Sequence, residues 1–160
     1  MITVHDLCHV EPDVAEAWIA TLSSQLRAAD IDEIEAMAGT EPDRALRDSL
    51  SISSHAYAVV SDTYGPVAIF GAAPHPLAGV GVVWMLGSDG IKREGYSIAR
   101  KTRRYFDELN AAYPILWNYI DDRNSTSLRW LRWGGFKLVG QKAMGPEGLP
   151  FHIFARTSYV

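Results

Sequence analysis

Residues 80–97 read VGVVWMLGSDGIKREGYS, and this stretch decides the fold. Its first part, through Leu86, is a run of apolar and β-favouring residues that predicts a buried strand. Gly87 and Gly90 then allow the chain to change direction. From Ile98 onward, apolar residues recur at helical spacing for roughly four turns. A strand that enters a helix through such a turn leaves backbone N–H groups unpaired at the helix start, and these groups favour a phosphate.

Positive charge is concentrated beside this turn, although the chain as a whole is acidic, with a formal net charge of -4. Six of the 15 lysines and arginines lie there: Lys92, Arg93, Arg100, Lys101, Arg103 and Arg104. Such a helix face either binds an anionic ligand or is simply solvated, and the unpaired amides favour the ligand. The acidic net charge disfavours nucleic acid and anionic membranes as partners of the whole protein.

The composition predicts one globular domain over residues 1–160, because 48% hydrophobic content in a chain of this length suffices for one core. The single cysteine, Cys8, excludes an intrachain disulfide and points to a reducing compartment, so we expect the cytoplasm. The longest apolar run, residues 79–87, is about half of a membrane span, and no secretory signal is visible. The five histidines lack the spacing of metal ligands, so we expect no metal site.

The predicted order of elements is β-α-α-α-β-β-β-α-β-α-β-β, which is an α/β fold. Asp30 is predicted to cap the second helix, with Glu33 three residues later. Asn124 is predicted to cap the last helix, which runs through Trp133 and stops at Gly134. The predicted strands after the first cover residues 55–62, 67–73, 80–86, 115–120, 136–142 and 151–156.

Two segments resemble, in chain order, the motifs of the GCN5-related N-acetyltransferase (GNAT) superfamily. Lys92-x-x-Gly95-x-Ser97 is similar to its cofactor loop, Gln/Arg-x-x-Gly-x-Gly/Ala. The segment NSTSLRWLRWGGF, which begins at Asn124, 32 residues after Lys92, is similar to its Asn-led helix ending in Gly-Phe. The resemblance covers about residues 56–156. It implies a mixed, mostly antiparallel sheet flanked by helices, whose fourth and fifth strands splay apart to hold acetyl-CoA.

The resemblance also implies which residues surround acetyl-CoA. A backbone N–H near Met85 or Leu86 would serve the thioester oxygen as it becomes negative. Asn124 would hydrogen-bond the pantetheine arm or act only as a helix N-cap, and both roles can coexist. The residues implied to bind the cofactor are Met85, Leu86, Lys92, Arg93, Gly95, Tyr96, Ser97, Asn124 and Leu131.

Leu131 occupies the position of the superfamily's usual proton donor, a tyrosine, and leucine has no proton to donate. Ser127, one helical turn earlier, or water would then replace that donor. The transfer also needs a base that neutralises the amine. Asp121 is the base that we name, and the alternatives are Asp122, His75 and Asp89.

A narrower resemblance involves the LWNY segment that begins at Leu116. Together with Asn124, Arg129, Leu131 and Gly135, this segment is similar to a family of podophage internal virion proteins whose fold is acetyltransferase-like. This resemblance implies phage origin, action in the host cytoplasm or in the virion, and a virion or host protein as partner. It implies no particular enzymatic activity, because one fold serves many functions.

Two hypotheses about function follow from these patterns. The first is an acetyl-CoA-dependent N-acetyltransferase, encoded by a phage, that modifies an amine on a small molecule or a protein. The alternative is a non-catalytic phage protein of the GNAT fold that acts in virion assembly or host interaction. Trp130 and Trp133 lie on one helix face and cover either the sheet or a contact between two copies, and the second alternative implies a homodimer.

Overall fold

The computed structural model describes residues 1–158, and its seven strands form one sheet in the order β1-β2-β3-β4-β5-β7-β6. All neighbouring strands are antiparallel except β4 and β5, which are parallel. The expected mixed, mostly antiparallel sheet is therefore confirmed. The strands are β1 (Ile2–Asp6), β2 (His55–Ser61), β3 (Gly65–Pro74), β4 (Val80–Gly87), β5 (Ile115–Asp121), β6 (Lys137–Met144) and β7 (Leu149–Thr157).

Helices cover both faces of the sheet, and each face has its own apolar core. Leu22, Leu46 and Ile69 are fully buried in the core beneath the first three helices. Phe106 lies in the core of the other face, where its ring meets those of Phe70, Trp130 and Phe136 edge-on. The helices are α1 (Pro12–Ser23), α2 (Ala28–Met37), α3 (Pro42–Ile52), α4 (Gly90–Arg93), α5 (Gly95–Ala112) and α6 (Ser125–Trp133).

The start of α2 differs from the prediction. Asp30 does not cap this helix, which begins two residues earlier, at Ala28. Its carboxylate instead pairs with the Arg27 guanidinium, and both side chains are buried. The prediction was wrong because a carboxylate binds a buried cation more strongly than it binds a backbone N–H.

The sheet opens between β4 and β5. The two strands pair at three positions only, Val80 with Ile115, Gly81 with Leu116 and Val82 with Trp117. Beyond these pairs the strands separate, as the resemblance implied.

None of the helices within residues 1–158 has both the length and the apolar character to cross a membrane.

Candidate active site

A cavity of about 150 Å³ fills the opening between β4 and β5. Val83 and Leu131 line it on the sheet face that carries α5 and α6. Glu33, Trp84 and Tyr119 also line it, and Trp84 packs with the core of the opposite face. Successive side chains of a strand point to opposite faces, so the cavity passes through the sheet. A group on one face can thus meet a group on the other.

The backbone of Met85 faces this opening. Residues of an antiparallel strand alternate between bonding their neighbour and pointing away from it. Ser88 donates its N–H to Val67 of β3 at 2.9 Å, so even-numbered residues of β4 bond β3. Met85 therefore directs its N–H and C=O toward β5, where the ladder has already ended. Of Met85 and Leu86, Met85 is therefore the residue whose N–H faces the opening, and its contact with a thioester oxygen stays a prediction.

Hydrogen bonds from other elements close the opening on either side of Met85. Asn118 Nδ2 donates to the Val83 carbonyl at 2.6 Å where β4 and β5 begin to separate. At the far end, the Gly87 N–H donates to Asp30 Oδ2 at 2.8 Å, and the Gly87 carbonyl accepts from the Arg27 backbone N–H at 2.8 Å. The polar edge of β4 that remains open is therefore confined to the neighbourhood of Met85.

A second cavity, of about 620 Å³, lies beside the start of α5 and shares Met85 and Trp130 with the first. Lys92 and Arg129 line it with positive charge. Gly95 also lines it, and a Cβ atom added there would meet nothing within 4 Å. The position therefore leaves open space beside the backbone, as an anion cradle requires.

Unpaired amides complete this cradle. The first bond into α5 runs from the Ile98 N–H to the Glu94 carbonyl at 3.0 Å. Within residues 1–158, the N–H groups of Gly95, Tyr96 and Ser97 have no acceptor. Three free amides at the start of an 18-residue helix are suited to bind a phosphate.

Some basic residues beside the turn point elsewhere. The Arg93 guanidinium lies 5.5 Å from the centre of the Tyr64 ring, and Arg93 does not line either cavity. Arg100 and Arg104 line a separate groove of about 420 Å³ beside Thr3 of β1. Lys92 is thus the basic residue of the Lys92-x-x-Gly95-x-Ser97 loop that reaches the second cavity.

A buried network joins the start of α2 to the start of α6. Arg27 and Asp30, only 2% and 1% exposed, form two hydrogen bonds, of 3.0 and 2.7 Å. Arg27 Nη2 also donates to Asn124 Oδ1 at 3.2 Å and to Ser127 Oγ at 2.8 Å. Sequence reasoning missed this network because its two halves lie almost 100 residues apart, and no local pattern pairs them.

The ion pair within this network makes a prediction about stability. Replacing Asp30 with Asn should lower the free energy of unfolding by about 3–5 kcal/mol, because it leaves the Arg27 charge buried without a counterion. Asp48→Asn is the matched control, because its partner Arg44 and Asp48 itself are exposed, and it should change little. Urea denaturation of both variants measures the difference, and equal losses would contradict the assigned role of the buried pair.

Asn124 and Ser127 both lie at the start of α6. Asn124 Oδ1 accepts the Ser127 N–H at 3.4 Å, so the expected helix cap is present. Its contact with a cofactor stays a prediction. Ser127 lines the first cavity, and its Oγ accepts from Arg27, which leaves its own proton free to donate.

Asp121, the base named from the sequence, is held by Arg123. Their side chains form hydrogen bonds of 3.0 and 2.7 Å, and these bonds hold the pKa of Asp121 below its usual value. The alternative Asp122 bonds His152 at 2.6 Å. Asp121 does not line either cavity. Its catalytic role stays a prediction, and the geometry favours another carboxyl group.

That carboxyl group is Glu33, which sequence reasoning treated only as part of a helix start. It lines the first cavity, and its Oε1 accepts the Asp121 N–H at 2.7 Å. Burial raises the pKa of Glu33 to about 7, although the Asp121 N–H opposes this shift. A carboxyl group with such a pKa can exchange a proton near neutral pH. No sequence motif signalled it, because its burial depends on how α2 packs against β5.

Comparisons with known proteins identify the fold. No protein-family model matches the chain, and no curated protein sequence matches it. Solved structures do match: a GNAT-family acetyltransferase from Streptococcus pneumoniae has a TM-score of 0.63 at 12% identity, over 98% of this chain and 99% of its own. A ribosomal-protein-S5-alanine acetyltransferase from Vibrio fischeri has a TM-score of 0.65 at 11% identity, over 99% and 93%.

The aminoglycoside acetyltransferase AAC(6')-Ib, in complex with coenzyme A, is also similar. Its TM-score is 0.64 at 15% identity, over 99% of this chain and 95% of its own. Nothing in these comparisons supports the narrower resemblance to podophage internal virion proteins. The chain therefore has the fold of the GNAT acetyltransferases.

Proposed function

We propose that this protein is an acetyl-CoA-dependent N-acetyltransferase. The observation that carries the proposal is the cavity through the sheet between β4 and β5. On one side it adjoins the anion cradle of α5, and on the other side it contains the Glu33 carboxyl group. Structures of the similar AAC(6')-Ib contain coenzyme A or acetyl-CoA, which supports the choice of donor.

The residues present fit coenzyme A. Its phosphates would bind the free amides of residues 95–97 and the positive charges of Lys92 and Arg129. Its pantetheine arm would lie along the open backbone of Met85, near Asn124 and Leu131. The free space at the Gly95 Cβ position supports this fit, because a side chain there would occupy the cradle.

The chain's own residues can then perform the transfer. Acetyl-CoA supplies the acetyl group as a thioester. The Glu33 carboxylate takes a proton from the acceptor ammonium, and the neutral amine forms a bond to the acetyl carbon as the carbon–sulfur bond breaks. The Met85 N–H donates to the carbonyl oxygen as its negative charge grows. Ser127 would donate a proton to the departing thiolate, which leaves as the thiol. Ser127 would then regain the second proton that the nitrogen loses as the amide forms, and Glu33 would release its proton to solvent.

Two measurements test the proposal. Calorimetry should detect acetyl-CoA binding in the micromolar range, and a thiol reagent should detect coenzyme A released when an amine is added. Binding that is only millimolar, or absent, would contradict the proposal. Binding of acetyl-CoA without amine-dependent release of coenzyme A would support the cofactor site but contradict the proposed acetyl transfer.

Replacing Leu131 with Tyr should raise kcat by about tenfold, because it adds a phenol to a cavity whose usual acid is absent. The affinity for acetyl-CoA should change little. Leu131→Phe is the matched control, since it adds the same ring without the hydroxyl group. Steady-state kinetics distinguish the two variants, and an equal effect of both would show that the hydroxyl proton is not used.

A second candidate is a non-catalytic phage protein that acts in the virion or on a host protein. Phage origin is part of both candidates. Leu131 in the donor position favours it, as does the engagement of Asn124 by Arg27. If this candidate is right, purified particles should contain the protein at a constant copy number. If the enzyme is right, we expect it in the cytoplasm and absent from particles.

A further inference from the structure

From the walls and charges around Glu33, we propose that the acceptor is a small primary amine with an apolar body and no acidic group. This inference rests on the proposed function. It concerns the acceptor chamber, which is the part of the first cavity on the face of α1, α2 and α3. The residues that line the chamber are Glu33, Ile34, Ala45, Ser49, Trp84 and Tyr119.

The walls of the acceptor chamber offer one charge and otherwise mostly apolar surface. Of the described residues that line the whole cavity, Glu33 alone is charged. Ile34 and Trp84 pack with the apolar core of that face. An ammonium group placed at Glu33 would leave the rest of the molecule against Ile34, Ala45 and Trp84. Such walls stabilise hydrocarbon and leave polar substituents unpaired.

The volume limits the size of the acceptor. The whole cavity measures about 150 Å³, and the acetyl end of the donor must share it. A protein cavity of about this volume holds one benzene ring. The body of the acceptor inside the chamber is therefore no larger than a single ring or a short alkyl chain.

The surrounding surface favours a cation. Residues 1–54, which supply α1, α2 and α3, contain eleven aspartates and glutamates but only three arginines. Each arginine is already paired with an acidic residue of the same segment. These ion pairs are Arg27 with Asp30, Arg44 with Asp48, and Arg47 with Glu16 and Asp43. The surplus negative charge attracts an ammonium and repels a carboxylate.

A polycation fits this chamber less well than a monocation. Its second ammonium would need a second anion, and the described lining of the cavity supplies only Glu33. Leaving a charge without a partner in such a site is costly. The chamber thus differs from what an aminoglycoside requires, although AAC(6')-Ib has been solved with kanamycin.

Three amine probes that differ in their charged groups test this inference on the wild-type protein saturated with coenzyme A. Phenethylamine carries the proposed chemistry, phenylalanine adds a carboxylate to the same body, and spermidine adds further ammonium groups. Calorimetry should give a Kd for phenethylamine at least about tenfold lower than for either of the others. Comparable or tighter binding of phenylalanine or spermidine would overturn the inference, as would a failure of phenethylamine to bind.

Acetyl transfer to the same probes separates this inference from the proposed function. Transfer to phenylalanine or spermidine but not to phenethylamine would contradict the proposed class of acceptor. It would still support the proposed acetyltransferase activity. Binding of phenethylamine without transfer to any probe would support the acceptor chamber and contradict the proposed acetyl transfer.

Ala45→Phe tests the position of the chamber directly. The added ring should raise KM for phenethylamine by about tenfold, with KM for methylamine and the Kd of acetyl-CoA unchanged. Retained acetyl-CoA binding shows that the variant folds. Ala17→Phe, which places the same ring on the exposed surface of α1, is the control. An unchanged KM for phenethylamine in Ala45→Phe would place the acceptor elsewhere.

Discussion

Replacing Glu33 with Gln should lower kcat for acetyl transfer by about 10²–10⁴-fold, because an amide cannot accept the proton of the acceptor ammonium. The Gln Oε1 atom can still accept the Asp121 N–H, so the local structure should be retained. Asp32→Asn on the exposed side of the same helix is the control and should keep its activity. Equal kcat values for Glu33→Gln and wild type would exclude Glu33 as the base.

The pH dependence of the wild type gives a second readout of the same group. The carboxylate accepts a proton and the neutral carboxyl group does not, so kcat/KM should rise with pH through an apparent pKa of about 7. This limb should disappear in Glu33→Gln. If the limb persists with the same midpoint, it belongs to another group.

The stability of Glu33→Gln should change in the opposite direction to its activity. The pKa of Glu33 is about 7 in the folded protein and 4.5 in a model compound, so the folded state favours the protonated carboxyl group. The stability that this preference contributes is present below about pH 4.5 and is lost as the pH rises through 7. Glu33→Gln should therefore be more stable than wild type by about 1–3 kcal/mol at pH 8 and equal to it at pH 4. Urea denaturation of both proteins at both pH values measures this difference in the free energy of unfolding.

Gly95→Trp should weaken acetyl-CoA binding by about 100-fold or more. The indole would enter the space that adjoins the Gly95 Cβ position and would cover the free amides of α5. Losing two hydrogen bonds to a charged phosphate, each about 1.5 kcal/mol, corresponds to a loss of about that size. Calorimetry with acetyl-CoA measures it.

Gly95→Ala provides the matched control for this substitution. A Cβ at this position meets no atom within 4 Å, and the backbone angle there is one that alanine adopts, so the fold should be unchanged. Binding should be reduced much less than in Gly95→Trp. Equal affinity of wild type and Gly95→Trp for acetyl-CoA would show that the free amides of α5 do not bind its phosphates. The main support for a coenzyme A ligand would then be lost.

Much of the architecture could be predicted because its causes are local. The strand that ends near Leu86, the turn through Gly90 and the helix after Gly95 follow from residue preferences within a few positions of each other. The cap at Asn124 has the same origin. Asp30 shows where such reasoning fails, because the pattern of a cap is the same whether or not a buried cation competes for the carboxylate.

The sequence by itself determined the order of elements, the free amides at the start of α5 and the local surplus of positive charge. Only the tertiary structure decided which carboxyl group belongs to the site, because Glu33 reaches the Asp121 N–H across 88 residues. It also decided that Met85 faces the opening, since this depends on where the pairing of β4 and β5 ends. Backbone geometry at a turn is set by neighbours in sequence, whereas the pKa of a carboxyl group is set by burial among residues that only folding brings together.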